Sequence, residues 1–387
     1  MHLSALSAQS AVKNSGICTE ESNDRLRRTL VDSRDKRTLI WQTNGLRARR
    51  ESETVEAMHT RIFGRTGRAV GEVGLGTWQL GAGWGDVSDE AAMATLRTAY
   101  EAGTTLFDTA DVYGMGRAEK LIGAFLRETP GARERVYLAT KLGRFSPPGW
   151  PANFTRAGIR QHTEASLARL GVDALDLTQL HCVPTEVLQQ GEVFEHLREL
   201  KREGKIRDFG SSVESIDQAH LCLAQDGCAA LQIIFNIFRQ KPIHTLFAEA
   251  KRRQVALLVR LPLASGLLGG KMSKATTFPP NDHRNFNRDG QMFNVGETFA
   301  GLPFEKGVEL AEALKPLVPA GSSLPEVALR WCLDFDAVSV IIPGAKNPEQ
   351  AQANARASAL PPLGERLHQQ LADFYQREVS AHIRGPY

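Results

Sequence analysis

The sequence predicts a single closed α/β barrel, (β/α)8, on three observations. Eight short β-branched or aliphatic runs alternate with segments of helical period. Eight parallel strands close on themselves, and parallel strands need crossover helices between them. Polar side chains interrupt the runs near their carboxyl ends, where barrels of this kind carry their chemistry. The 387 residues, 42% of them hydrophobic, would suit two ordinary domains equally well, so the alternation along the chain decides.

Residues 1–57 stand apart. They are polar, with Arg25, Arg27, Arg28, Asp32, Arg34 and Asp35 close together, and offer no core. A disordered extension is expected, and Glu20, Glu21 and Asp24 argue against an organelle transit peptide. Core-like sequence begins just after Met58, so a start of translation there is the alternative. The barrel is expected over residues 58–387.

The eight runs are Glu72 to Thr77, Thr105 to Ala110, Val136 to Lys141, Ala174 to His181, Ile206 to Ser212, Ala230 to Asn236, Ala256 to Pro262 and Val338 to Gly344. Helical patterns separate them. Met93, Leu96 and Tyr100 recur on one face between a Ser88 N-cap and a Gly103 stop. Val193, Leu197 and Leu200 repeat the device before Gly204. Ser273 to Leu302 reads as a long loop after the seventh run, of the kind that is often functional. A last helical pattern at Leu367, Leu371 and Phe374 leaves a tail able to reach the mouth.

Lys and Arg total 47 against 44 Asp and Glu, a net charge of +3 with no basic block interleaved with aromatics, so nucleic acid is not an expected partner. A phosphorylated small ligand needs only a local basic spot. No apolar run approaches the roughly 20 residues that span a bilayer. The five cysteines, Cys18, Cys182, Cys222, Cys228 and Cys332, are scattered and form no C-x-x-C pair, which suits a reduced, cytoplasmic setting. No metal-ligand spacing stands out.

Asp108, Lys141, His181, Ser212, Gln232 and Arg260 lie near the ends of the second to seventh runs. Taken singly, His181 reads as a structural residue and Asp108 with Lys141 as a barrel salt bridge. With Tyr113 five residues after Asp108, the set reads as machinery for proton transfer. An ammonium at Lys141 would stabilise a Tyr113 phenolate and bring the phenol towards its working range, Asp108 would hold Lys141, and neutral His181 would donate to the same reacting oxygen.

Phe107 to Gly114 (FDTADVYG), Thr140-Lys141 and Gln179 to His181 (QLH) resemble the motifs of the aldo-keto reductase superfamily. Arg260 to Lys271 (RLPLASGLLGGK) and Ile342 to Gln350 (IPGAKNPEQ) resemble a bacterial branch of it. The resemblance runs from about Arg61 to the last helices. It implies a TIM-barrel fold, an NADPH-dependent reduction of an aldehyde or ketone, and catalytic roles for Asp108, Tyr113, Lys141 and His181, with Tyr113 as general acid.

It also implies NADP(H) bound without a Rossmann phosphate loop, and no G-x-G-x-x-G or P-loop stands before a helix. Gly76, Thr77, Trp78, Asp108 and Gly344 would line the cofactor groove. Ser212 and Gln232 would hold the nicotinamide carboxamide, and Leu263 and Ser265 the pyrophosphate path. Lys346, Gln350 and Asn354 would take the 2′-phosphate and adenine, although Lys346 alone also reads as a surface lysine.

Two departures stand out. Val213 replaces the Asn that many relatives carry after the fifth strand, removing one amide contact. Arg260 stands where many members carry an aromatic that stacks on nicotinamide; a planar guanidinium can also stack, but it adds positive charge beside a ring that becomes cationic on oxidation. Trp78, Trp84 and Trp150 can build an apolar substrate pocket or simply pack. The competing readings are a redox-sensing NADPH-binding module, which fold alone does not separate from an enzyme, and a Schiff-base lysine aldolase, which an ion-paired Lys141 disfavours.

Overall fold

The computed structural model describes residues 57–81 and 83–387. The expected extension over residues 1–57 therefore lies outside the described residues, save its last residue.

All eight anticipated runs form strands of one parallel sheet. After a hairpin of β1 (Thr60–Ile62) and β2 (Ala69–Gly71), the barrel strands are β3 (Leu75–Gly76), β4 (Leu106–Asp108), β5 (Tyr137–Leu142), β6 (Leu175–His181), β7 (Ile206–Ser212), β8 (Cys228–Ile234), β9 (Ala256–Arg260) and β10 (Val338–Ile341). Neighbours in sequence are neighbours in the sheet, from β3 to β10. Parallel bridges Val73 to Ile341 and Gly76 to Gly344 close the cylinder. The helix Asp89–Glu101 starts as anticipated, with Ser88 accepting a hydrogen bond from the Ala91 amide. The helix Glu192–Arg202 buries Val193, Leu197 and Leu200 against the sheet.

The β1–β2 hairpin was not anticipated, because its three-residue strands are too short and polar to show a period. It caps the amino-terminal end of the barrel. Phe63, fully buried, packs with the inward residues Leu106, Tyr137, Leu177, Ala256, Leu258 and Val340. Because side chains alternate faces along a strand, the positions two residues further on also point inward. They are Asp108, Lys141 two beyond Ala139, Gln179 and Arg260. The interior is therefore apolar at the closed end and polar at the open one.

The loop after β9 is more structured than anticipated. It carries a one-turn helix, His283–Phe286, and 3-10 turns at Val295–Glu297 and Phe299–Gly301. An antiparallel bridge from Asp282 to Trp84 fastens it to the loop after β3. The chain terminus holds its far side: Arg384 donates from its backbone to Gly301, and the Arg239 guanidinium donates to Pro386.

Gly210 is fixed by packing, since a Cβ there would stand 2.3 Å from the Ala230 carbonyl on the adjacent strand. Gly210→Ala is expected to cost about 1–3 kcal/mol by prying β7 from β8, seen as a lower urea midpoint with an unchanged slope.

Candidate active site

Strand register brings the polar residues into one group. Asp108 pairs with Ala139 across β4 and β5, Lys141 with Gln179, and His181 with Ser212. The Lys141 ammonium is 1% exposed and has three protons to place. It donates to Asp108 Oδ1 at 2.5 Å, to the Thr109 carbonyl at 2.8 Å and to Tyr113 Oη at 3.2 Å. The ammonium is thereby fully satisfied. Asp108 Oδ2 in turn accepts from Gln179 Nε2 at 3.1 Å and Gln232 Nε2 at 2.8 Å. Despite its burial Lys141 is held above the ordinary lysine value, because Asp108 and Tyr113 outweigh desolvation. It stays charged.

Tyr113 turns back over the mouth on the Asp111 to Gly114 turn. Gly81 permits this, since a Cβ there would lie 2.6 Å from the Tyr113 carbonyl carbon. Trp78 stacks on the phenol at 5.9 Å, and the His181 ring stands edge-on to it at 5.9 Å. The acidity expected from the sequence needs correction. Burial pushes the phenol up, and Lys141 offsets this only in part, so the net direction is upward. The phenol is therefore protonated at neutral pH, with the Lys141 ammonium donating to its oxygen.

His181 is held well below the ordinary histidine value by burial and then by Arg144, Lys141 and Arg260. It is neutral. Its Nδ1 is buried without a hydrogen-bond partner among the described residues, so its proton belongs on Nε2.

A cavity of about 710 Å³ opens over this group, within the usual range for small-molecule sites. Asp108, Tyr113 and His181 line it, while Lys141 sits just behind Tyr113. Every residue expected to hold a cofactor lines it as well: Gly76, Thr77, Trp78, Ser212, Gln232, Arg260, Leu263, Ser265, Gly344, Lys346, Gln350 and Asn354, with Asp108. Trp84 lies on its wall beside Trp78, whereas Trp150 is 59% exposed and outside it.

Several of these side chains are engaged differently from the expectation. Gln232 gives Nε2 to Asp108, leaving Oε1 as its free acceptor. Ser265 Oγ is taken by the loop after β9, accepting from the Phe299 amide and donating to the Glu297 carbonyl. Lys346 reaches across the groove to the Trp84 carbonyl, and its backbone amide donates to Gln350 Oε1. Val213 contributes its carbonyl, which accepts from Arg260 Nη2 at 3.1 Å.

Sequence reasoning missed Gln179, Lys271, Arg284 and Glu297. Gln179 was legible, since it lies two residues before His181 on the same face of β6. The other three depend on how the loop after β9 folds, and no periodicity reports that.

Behind the Tyr113 turn, Asp111 is fully buried with neither carboxylate oxygen hydrogen-bonded among the described residues. His162 Nδ1 is 3.5 Å from its Oδ2. Burial and then Glu119 push this carboxyl up to about 8. From about pH 4 to that value the native state holds a proton that the unfolded chain has released, so stability falls as pH rises through the window. Asp111→Asn should flatten that fall, narrowing the difference in Tm between about pH 5 and 8 by several degrees in calorimetry. An unchanged difference would contradict the assignment.

Comparison with known proteins agrees with this architecture. The model of the Aldo/keto reductase family matches residues 72–376. Aldo-keto reductase YhdN of Bacillus subtilis (strain 168) is 32% identical over 296 residues, which cover 74% of this chain and 85% of that protein. The NADH-specific methylglyoxal reductase of Escherichia coli (strain K12) is 29% identical over 316 residues, 76% of this chain and 92% of that protein. Among solved structures, glycerol dehydrogenase AKR11B4 from Gluconobacter oxydans aligns with a TM-score of 0.69 at 28% identity, covering 85% of this chain and 98% of that one. An aldo/keto reductase from Klebsiella pneumoniae in complex with NADP and acetate aligns with a TM-score of 0.61 at 25% identity, covering 82% and 95%. With the motifs, the closed barrel and the polar group at its mouth, these matches establish that the chain belongs to the aldo/keto reductase family.

Proposed function

We propose that the chain is an NADPH-dependent reductase of small aldehydes or ketones, with Tyr113 as the proton donor. The observation that carries this reading is the Lys141 ammonium, which spends one of its three donors on Tyr113 Oη and so leaves the phenolic proton free to be given to the cavity.

The cavity's donor set fits a phosphorylated dinucleotide. Lys271, Arg284 and Lys346 line it, and Lys271 has no ion-pair or hydrogen-bond partner among the described residues. Arg284 is paired with Asp282, so Lys271 and Lys346 carry the uncompensated charge that phosphates would meet. The bound dinucleotide supplies the hydride. Tyr113 Oη and His181 Nε2 hold the carbonyl oxygen and leave its carbon open. As the carbonyl carbon gains the hydride pair, its oxygen becomes an alkoxide and takes the Tyr113 proton. Lys141 then faces a phenolate, which solvent reprotonates.

Lys141 is a poor candidate for a Schiff base, since its nitrogen is charged and all three of its protons are engaged. The choice of NADPH over NADH rests on Lys346, a charge suited to a 2′-phosphate.

Tyr113→Phe is expected to lower carbonyl reduction, followed as NADPH consumption against a panel of aldehydes, ketones and quinones, by about 10²-fold or more. NADPH affinity should change little. Full activity in the variant would refute the proton donor. Lys346→Glu should weaken NADPH by roughly tenfold or more while NADH changes less. Equal losses for the two cofactors would remove the phosphate assignment.

A further inference from the structure

The mouth holds a second charged group beside Tyr113 and His181. Arg144 lies two residues past the end of β5, and its Nη2 lies 3.0 Å from Glu297 Oε1 and 3.2 Å from Glu214 Oε1. Arg260, at the end of β9, places Nη1 3.9 Å from the same Glu297 oxygen. The thiol of Cys182, next after His181, lies 3.6 Å from it. Arg144 and Glu214 do not line the cavity, whereas Glu297 shares its wall with Arg260. The Val295–Glu297 turn brings this carboxylate more than thirty residues along the loop after β9 to the strand end from which that loop departs.

Glu297 is ionised at neutral pH. Burial favours its neutral form, but the Arg144 and then the Arg260 guanidinium outweigh that and hold it down to about 2. At the end of β9 the wall thus presents the Arg260 guanidinium with the Glu297 carboxylate 3.9 Å away, a carboxylate that Arg144 also holds at 3.0 Å.

Ser212, paired with His181 across β6 and β7, and Gln232, bonded to Asp108, wall the cavity beside the polar group with Arg260, and a nicotinamide ring seated there would lie within hydride reach of a carbonyl held by Tyr113 and His181. That ring is neutral when reduced and cationic when oxidised. Arg260 alone would disfavour the oxidised form. We infer that Glu297, by offsetting Arg260, sets the relative affinity of the site for the oxidised and reduced cofactor and so determines how readily the product dinucleotide leaves. The inference rests on the NADP(H) reading proposed above.

The test is the ratio Kd(NADP+)/Kd(NADPH) for the full-length protein, with NADPH followed by fluorescence and NADP+ by calorimetry. Glu297→Gln keeps a polar partner for Arg144 and removes the charge, and the ratio should rise roughly tenfold. Arg260→Met should lower it, and the double variant should return near the wild-type value. A purely structural lesion weakens both forms alike and leaves the ratio unmoved. A ratio within about twofold of wild type in Glu297→Gln, or movement of both single variants in one direction, overturns the inference. If Glu297→Gln does not fold, Glu297→Met, uncharged and similar in size, takes its place and must raise the ratio in the same way. Failure of the wild-type protein to bind either dinucleotide overturns the proposed function itself, a result distinct from an unmoved ratio.

Discussion

One buried ammonium organises the open end of this barrel. Lys141 carries a full charge where almost no water reaches it, and it is tolerable there only because each of its three protons meets an oxygen. Those oxygens belong to β4 and to the turn that follows it, so satisfying the charge also fixes that turn. Gln179 and Gln232 extend the network by occupying the second oxygen of Asp108. Residues from four strands, the consecutive β4, β5 and β6 with β8 reaching across, are thereby held to one geometry. Removing one partner of such a pair typically costs about 3–5 kcal/mol, because the other charge is left buried and alone. The same bond that stabilises the network aims the phenol.

Above this fixed layer the walls come from loops. The segment after β9 crosses to Trp84, lines the groove with Ser265, and returns with Glu297 to the strand end it left. Its path needs left-handed backbone at residues other than glycine: Leu261, Ala264, Ser265, Phe299 and Ala300 all have φ between 48° and 57°. Each such residue costs energy that the surrounding contacts must supply, and such conformations gather at ligand-binding segments. The Ser265 hydroxyl ties the two strained stretches together by accepting from the Phe299 amide, and the chain terminus packs behind them at Gly301.

The barrel was legible because each strand is a short apolar run, and the ends read from sequence differ from the observed ones by only a few residues. The polar group at the mouth was legible for the opposite reason: Asp108, Lys141 and His181 each break an apolar pattern at the same end of a strand. What stayed hidden depends on environment. The acidity of Tyr113 was read from the neighbouring charge alone, whereas the folded protein adds a larger desolvation penalty. The bond from Gln232 to Asp108 was hidden too, since the sequence places Gln232 at the mouth but not against that carboxylate. Glu297 lies in a loop rich in Asn, Asp and Gly, where nothing in the local pattern separates a surface carboxylate from one buried between guanidiniums.

The account stands on the hydrogen bond between the Lys141 ammonium and the Tyr113 hydroxyl. Its most direct test is the pH dependence of single-turnover carbonyl reduction in wild type and Lys141→Met, with NADPH saturating in both. The account predicts a rate lower by about 10²-fold or more, with the limb that reports loss of the phenolic proton displaced to higher pH. A variant that keeps both the wild-type rate and the wild-type limb would contradict it.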